Sequence, residues 1–410
     1  MNLALLLLLA LSNPPLPIGR GAGGEAPEAG PRAEVSAASP AGDVRWYAIP
    51  NVAYDTDDGL GFGARAEVAL DEPGYTPYKS AYVVHAFLTT RGYHHHRFRF
   101  DRTGLGPQGR LRVTLHVAWR QWLNDGYWGL GNLTAREPDP IGKRYRYSLF
   151  QPFVHLTLRA RLDGPWQAFA SLNAKWSAVR TYAGSLLALQ RPYGMDGGLA
   201  TILSAGVLYD TRQPEITPHG GLLAELSARG TPPLPHGAGA FGGPFASVRA
   251  FLGLAPWCVL AGRAMAEYLW GNVPFYEMVH WGGAIPVAGF GGADTLRGAL
   301  FGRWHAPGKA LANLELRFDV LTHGLLGKPF VWQLVPFADA GVVFGPASTV
   351  TPTGGWPVHP SAGLGLHVVY ADAFVGRIDA GVSPDPVQRA DGRVVNELAW
   401  GLYVVFDHTF

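Results

Sequence analysis

Apolar and polar residues alternate one for one through much of this chain. In 108–122, Leu111, Val113, Leu115, Val117 and Trp119 alternate with Arg110, Arg112, Thr114, His116 and Arg120. In 166–179, Trp166, Ala168, Ala170, Leu172, Ala174 and Trp176 alternate with Gln167, Ser171, Asn173, Lys175 and Ser177. In 309–320, Ala310, Ala312, Leu314, Leu316 and Phe318 alternate with Asn313, Glu315, Arg317 and Asp319. A period of two over ten or more residues predicts strands with one apolar and one polar face. Each segment is long enough to cross a bilayer when tilted. Sixteen such segments can be drawn: 44–54, 60–70, 77–90, 93–101, 108–122, 144–162, 166–180, 196–210, 220–230, 242–254, 257–271, 309–320, 330–345, 358–370, 374–384 and 396–410.

The connectors have a parity. Most odd ones from the fifth onward are long: 123–143, 181–195, 231–241, 272–308, 346–357 and 385–395. The even ones are mostly short, as in 71–76, 102–107, 163–165, 255–256 and 371–373. Bacterial membrane barrels have an even strand number, with short turns at the periplasmic end and longer loops outside. A soluble antiparallel sandwich also alternates, but it hides its apolar face and carries more charge outside. Here Trp and Phe share one face throughout, and Arg, Glu, Asn or Ser hold the other. The pattern predicts an all-β protein, a 16-stranded antiparallel transmembrane β-barrel of the outer-membrane type spanning 44–410, its polar face lining a lumen.

Composition narrows the class. Charged residues are 16% of the chain, well below the roughly one quarter of soluble domains. Aromatics reach 12%, and 54 Gly with 33 Pro supply many turns. A net charge of +2 gives no footprint for a nucleic-acid partner. The single cysteine, Cys258, excludes a disulfide framework and a thiolate metal cluster. Leu3 to Leu11 is an uncharged apolar run, too short to span a bilayer as a helix, and reads as the core of a signal peptide over 1–20. Residues 21–43, rich in Gly, Ala, Pro and Glu, read as a flexible lead-in.

Several motifs then fall at telling places. Gly291-Gly292-Ala293-Asp294-Thr295-Leu296-Arg297-Gly298 lies in the longest connector, and Ala312-Asn313-Leu314-Glu315-Leu316-Arg317-Phe318 on the strand after it. Phe337-Ala338-Asp339-Ala340-Gly341 sits on the next strand. Upstream are Tyr209-Asp210-Thr211-Arg212, with Pro218 and Gly220, and Trp128-Gly129-Leu130-Gly131-Asn132. In this order and at these topological positions, the set resembles the BamA/TamA outer-membrane assembly superfamily, also called the bacterial surface antigen family. The first motif resembles that family's Arg-Gly motif in the sixth outer loop. Tyr209 to Arg212 resembles its Asp-Thr-Arg turn, and Gly129, Gly131 and Asn132 a Gly-x-Gly-Asn loop element. The last strand, with Leu398, Trp400, Leu402, Val404 and Phe406 leading to Phe410, resembles the C-terminal signal that barrel-assembly machinery reads. His408 departs from that alternation.

The central motif has its own physics. Gly292 and Gly298 flank Arg297 and allow sharp folding. Glu315 shares the polar face of its strand with Asn313, Arg317 and Asp319. Asp339 shares a face with Gln333 and Gly341. Both carboxylates thus point into the lumen from adjacent strands, where an arginine fork could bond to them. On the residues alone, Arg297 is as readily a solvated loop residue. The resemblance implies that the sixth loop folds into the lumen and that Arg297 meets these acids.

The remaining candidates carry less. Asp210 and Arg212 read as a local ion pair or Asx turn. His94, His95 and His96 cannot all converge from one strand, and read as a surface or interface feature. Arg110, Arg112, Arg159, Arg161, Lys175, Arg249 and Arg263 on the lumen face outnumber Glu225, Glu267, Glu315, Asp319 and Asp339. Such a wall either favours anions or pairs with the folded loop. No nucleophile–base set, phosphate loop or metal spacing stands out, so neither an enzyme nor a cofactor is expected. The resemblance implies insertion, translocation or membrane remodelling. The residues before 44 leave no room for the family's periplasmic modules, so a separate periplasmic module protein or the barrel-assembly machinery is the expected partner, beside outer-membrane lipid and a possible homo-oligomer. A passive or anion-selective pore is the alternative, and a structural surface-antigen barrel the second.

Overall fold

The computed structural model describes residues 44–410 except 56–57, 140–141, 235–236, 326–327, 346–357, 371–373 and 407–408. The predicted signal peptide (1–20) and lead-in (21–43) lie outside the described residues. Sixteen strands are β1 Val44–Asp55, β2 Gly59–Leu70, β3 Ser80–Thr89, β4 Tyr93–Leu105, β5 Leu111–Gly126, β6 Arg146–Arg161, β7 Trp166–Thr181 and β8 Gly198–Asp210, then β9 Gly221–Thr231, β10 Phe241–Ala255, β11 Cys258–Tyr268, β12 Gly308–Leu325, β13 Lys328–Phe344, β14 His359–Tyr370, β15 Phe374–Gln388 and β16 Val394–Phe406. Past Leu269, β11 continues through Trp270–Gly271, which pairs with the start of β10. Each strand is antiparallel to the next, from β1–β2 through β15–β16. β16 returns beside β1, but no ladder joins the two among the described residues. The result is a nearly closed barrel.

The alternation sets which way each side chain faces. On β12, Lys309, Leu311, Asn313, Glu315 and Arg317 are buried in the interior, while Leu314 on the opposite face is 50% exposed. Trp46, Trp166, Trp176, Leu226, Leu398 and Trp400 are likewise exposed. A large apolar exterior around a charged interior is the arrangement of a barrel facing lipid. The interior is also more apolar than the sequence pattern predicts. Phe245, Met265, Leu311 and Val343 point inward and form a core with residues from the long loop.

Two further expectations meet the structure here. The last strand does not run to Phe410: β16 ends at Phe406, and Thr409 and Phe410 turn into the barrel. Phe410 is buried against Phe251, Val259 and Ala261, its ring 5.0 Å from the Arg263 guanidinium and 5.4 Å from that of Arg317. Two inward cations and the small Ala261 give the ring a seat that the lipid face lacks. The histidine run splits as the strand period requires. His94 and His96 lie on the outer face beside Trp119, at 6.5 and 5.2 Å between ring centroids. His95 points inward toward His85.

Candidate functional site

The connector between β11 and β12, residues 272–307, descends into the barrel. Trp281, Phe290, Leu296 and Trp304 from this loop are fully buried in the inner core. Its path depends on a few glycines. Gly291, Gly292 and Gly298 have φ of 106°, 91° and 94°, which L side chains rarely adopt. A Cβ on Gly298 would also stand 2.5 Å from the backbone nitrogen of Val382, so the loop abuts β15 there. The Thr295 hydroxyl staples the turn, donating to the Gly291 carbonyl and accepting from its N–H, each at 3.0 Å. Gly341 makes room in turn: a Cβ on it would meet the Phe290 ring at 2.7 Å.

These contacts deliver Arg297 to the wall. Its Nε and Nη2 donate to Oδ2 and Oδ1 of Asp339, both at 2.9 Å, and its backbone N–H reaches Oδ2 at 3.1 Å. Nη1 donates to Glu315 Oε1 at 2.7 Å. Longer contacts run from Nη1 to Asp379 Oδ2 at 3.5 Å and to the Thr409 hydroxyl at 3.4 Å. The Phe337 ring lies 3.5 Å from the guanidinium carbon. Arg297, Glu315, Asp339 and Asp379 are all buried. Burial alone would lower the arginine's affinity for its proton, but the bonds to Asp339 and the charges of Glu315 and Asp379 hold it above the ordinary value. Each acid is further engaged. Arg317 bonds Glu315 through Nε and Nη2 at 2.9 and 2.8 Å, Asn313 bonds Asp339 at 2.7 Å, and Arg377 and His367 bond Asp379.

The other motif residues brace this arrangement or stand apart from it. Gly129 and Gly131 take φ of 96° and 110° and carry the 127–145 loop onto the long one, where the Gly131 N–H donates to the His305 carbonyl at 2.8 Å. The Asn132 side-chain oxygen accepts from the Val343 N–H at 2.9 Å. Tyr209, Asp210, Thr211 and Arg212 lie at the far, short-turn end. There Arg212 grips Asp210 through Nε and Nη2, both at 2.9 Å, and its N–H completes an Asx turn at 3.2 Å. That is a local ion pair remote from Arg297.

Two parts of the network have no counterpart in the sequence reading. Asp379 was in phase with Arg377 on an alternating strand, but nothing in the chain says which strand the loop reaches. The second part is a pair of further locks. Arg303 donates from Nε to Asp385 Oδ1 at 2.7 Å and from Nη1 to the Thr134 hydroxyl at 2.9 Å. Loop residue Glu277 accepts from Lys175 Nζ at 2.7 Å and faces Arg229, which forks onto Glu267 at 2.7 and 3.0 Å. Burial would raise the Glu277 carboxyl, but the Lys175 and Arg229 charges hold it below its ordinary value. No reactive nucleophile or open metal shell emerges from these contacts. What they do is anchor a loop inside a barrel.

A barrel with an apolar exterior and an arginine-locked loop in its lumen defines a class of transmembrane β-protein. The Omp85 superfamily domain matches residues 144–393, and the chain belongs to that superfamily. Among solved structures it is similar to BamA from Haemophilus ducreyi lacking POTRA domains 1–3, with a TM-score of 0.55 at 15% identity over 89% of this chain and 70% of that one. It is also similar to CdiB from Escherichia coli, with a TM-score of 0.55 at 14% identity over 88% and 63%. CdiB from Acinetobacter baumannii gives 0.52 at 12% identity over 89% and 65%. The chain therefore spans about two thirds of the length of each. A search of curated proteins finds no match.

Proposed function

We propose that this chain is a non-enzymatic barrel of the bacterial outer membrane that inserts or translocates polypeptide, together with a separate periplasmic partner. The observation that carries the reading is the lumen itself: it is occupied by a loop pinned through Arg297 to Glu315 and Asp339. A diffusion pore has no use for so many buried bonds across its path. A loop that closes a lumen, in a wall where no ladder joins β1 to β16 among the described residues, suits a protein that handles a chain or another barrel. The relatives BamA and CdiB are in keeping with this. Purified protein in liposomes should speed the folding of an unfolded outer-membrane barrel above the rate in protein-free liposomes. In planar bilayers it should pass only small, unsteady currents that grow when 285–305 is deleted. Arg99 and Arg159, which make no hydrogen bond among the described residues, favour one second reading, an anion-selective pore. Large, steady, anion-selective currents from the intact protein with no folding activity would establish that reading instead.

A further inference from the structure

At the short-turn end of the barrel, arginines face one another across the ladders. Arg112 on β5 pairs in register with Arg159 on β6, and Arg249 on β10 with Arg263 on β11. Like charges directly opposite on neighbouring strands repel. In each pair one member is matched. Arg112 donates to Asp101 Oδ1 at 3.0 Å and to Glu215 Oε1 at 3.1 Å. Arg263 donates to Asn313 Oδ1 at 2.9 Å and to the Thr409 carbonyl at 3.0 Å. The other member is unmatched. Arg159 and Arg249 make no hydrogen bond among the described residues, although the Nε of each is buried.

Both unmatched arginines line one cavity of about 180 Å³, roofed by Ala284 and Ile285 of the long loop. Two of its three acids are held by arginines and the third by neutral donors. Asp210 is gripped by Arg212, and Glu215 by Arg112. Glu225 accepts from the Ser227 hydroxyl at 3.0 Å and from the Ala284 N–H at 2.8 Å. Through Arg159, Gln167 and Glu215 the space continues into a second cavity of about 440 Å³ that also holds Arg110, Arg112 and Arg161. Buried donors are almost always satisfied, and natural ladders avoid like-charge pairs unless something neutralises them. Two planar forks entering one cavity from β6 and β10 suit an anion with several acceptor oxygens and more than one negative charge.

We propose that this cavity binds a phosphate group, with Arg159 and Arg249 as its principal ligands and Arg212 and Gln167 at its edge. The site is distinct from the Arg297 lock and stands whether or not the chain transports polypeptide. It lies at the short-turn end, beside Asp210, Arg212 and Glu215, so the phosphate is either free or the headgroup of a lipid. The geometry makes an unusual demand on mutants. Replacing either unmatched arginine removes repulsion and breaks no bond, so Arg159→Gln and Arg249→Gln should fold at least as well as the parent.

The test is calorimetric titration of the purified full chain in detergent with inorganic phosphate, with sodium chloride at matched ionic strength as the control. Saturable binding of phosphate alone is expected, at least about tenfold weaker in each single variant and lost in the double. Arg393→Gln, which alters an exposed side chain that lines neither cavity, should leave it unchanged. Glycerol phosphate binding more tightly than inorganic phosphate assigns the site to a lipid headgroup, and weaker binding assigns it to the free ion. The proposal is overturned if chloride matches phosphate or if the double variant binds as well as the parent. It also fails if both single variants melt well below the parent in phosphate-free buffer, since the arginines would then serve a structural bond.

Discussion

The two sides of the barrel wall treat charge in opposite ways. On the side that receives the long loop, from β11 to β15, nearly every buried cation has a carboxylate. Arg297 has Asp339 and Glu315, Arg317 has Glu315, Arg377 has Asp379, Arg303 has Asp385 and Lys309 has Glu267. On the side from β4 to β6, Arg99 and Arg159 make no hydrogen bond among the described residues, and Arg120 bonds to Gln151 and His280 but to no acid among them. His116 Nε2 and His155 Nδ1 are buried there without partners among the described residues, beside a cavity of about 140 Å³. The strand pattern is the same on both sides. What differs is the neighbour: a wall that grips a loop carries acids to match the loop's cations, whereas the wall that faces open space matches Arg112 with Asp101 and Glu215 but leaves Arg99, Arg120 and Arg159 without a carboxylate among the described residues.

If that contrast is right, cutting the grip should cost most. Arg297→Ala leaves Asp339 and Glu315 buried without their fork, at about 3–5 kcal/mol. The expected result is a lower melting temperature and rapid proteolysis near residue 297. Arg297→Lys should recover only part, since an ammonium cannot reproduce the fork. Arg297→Ala with Asp339→Ala should cost less than the two singles summed. Strict additivity in that cycle would mean the two residues do not act as a pair.

Acid should loosen the loop next. Burial and the Arg303 charge push His305 down to about 3, and burial with the Lys175 charge holds His280 well below its ordinary range. A released loop would protonate both near 6.5, while the seated loop cannot. Seating therefore weakens as pH falls from about 6.5 toward 3, by up to about 2 kcal/mol at pH 5 through His305, with His280 acting in the same direction. Glu277, whose seated value is depressed, adds stability above about 4.5 that is lost as pH falls through its seated value. Protease sensitivity of 272–307 at pH 7.5 and pH 5 measures this. Equal protection at both would place the histidines in water.

Arg303→Ala should be milder, about 1–3 kcal/mol, because Arg136 still bonds Asp385. Its effect should stay at the outer end, loosening the 127–145 loop and leaving the Arg297 region protected by hydrogen exchange.

The sequence showed the strands, their parity and the facing of Glu315 and Asp339, because a period of two survives errors in strand ends. It showed Arg297 only through the resemblance, since a glycine-rich loop does not reveal where it goes. Asp379, Asp385 and Glu277 stayed hidden for the same reason: an inward carboxylate looks alike on every strand until the loop chooses its neighbours. The fate of Phe410 was hidden too. Alternation predicts a lipid-facing aromatic, whereas its seat beside Arg263 and Arg317 comes from β11 and β12, strands distant in sequence.

The smallest effect is the sharpest check on the unmatched side. Arg99 sits opposite His116 in the β4–β5 ladder, and its Nε is buried without a partner. Replacing it by Gln removes a charge that nothing neutralises and breaks no bond. On the gripping side an equivalent change would orphan a carboxylate. Here it orphans nothing, so Arg99→Gln should shift stability by no more than about 0.5 kcal/mol, and upward if at all. The charge should still be felt by ions. Once 285–305 is deleted and the lumen conducts, the same substitution should reduce preference for anions, a difference that salt would screen. A loss of stability comparable to Arg297→Ala would mean that Arg99 serves a bond of its own, and the contrast between the two sides would fail.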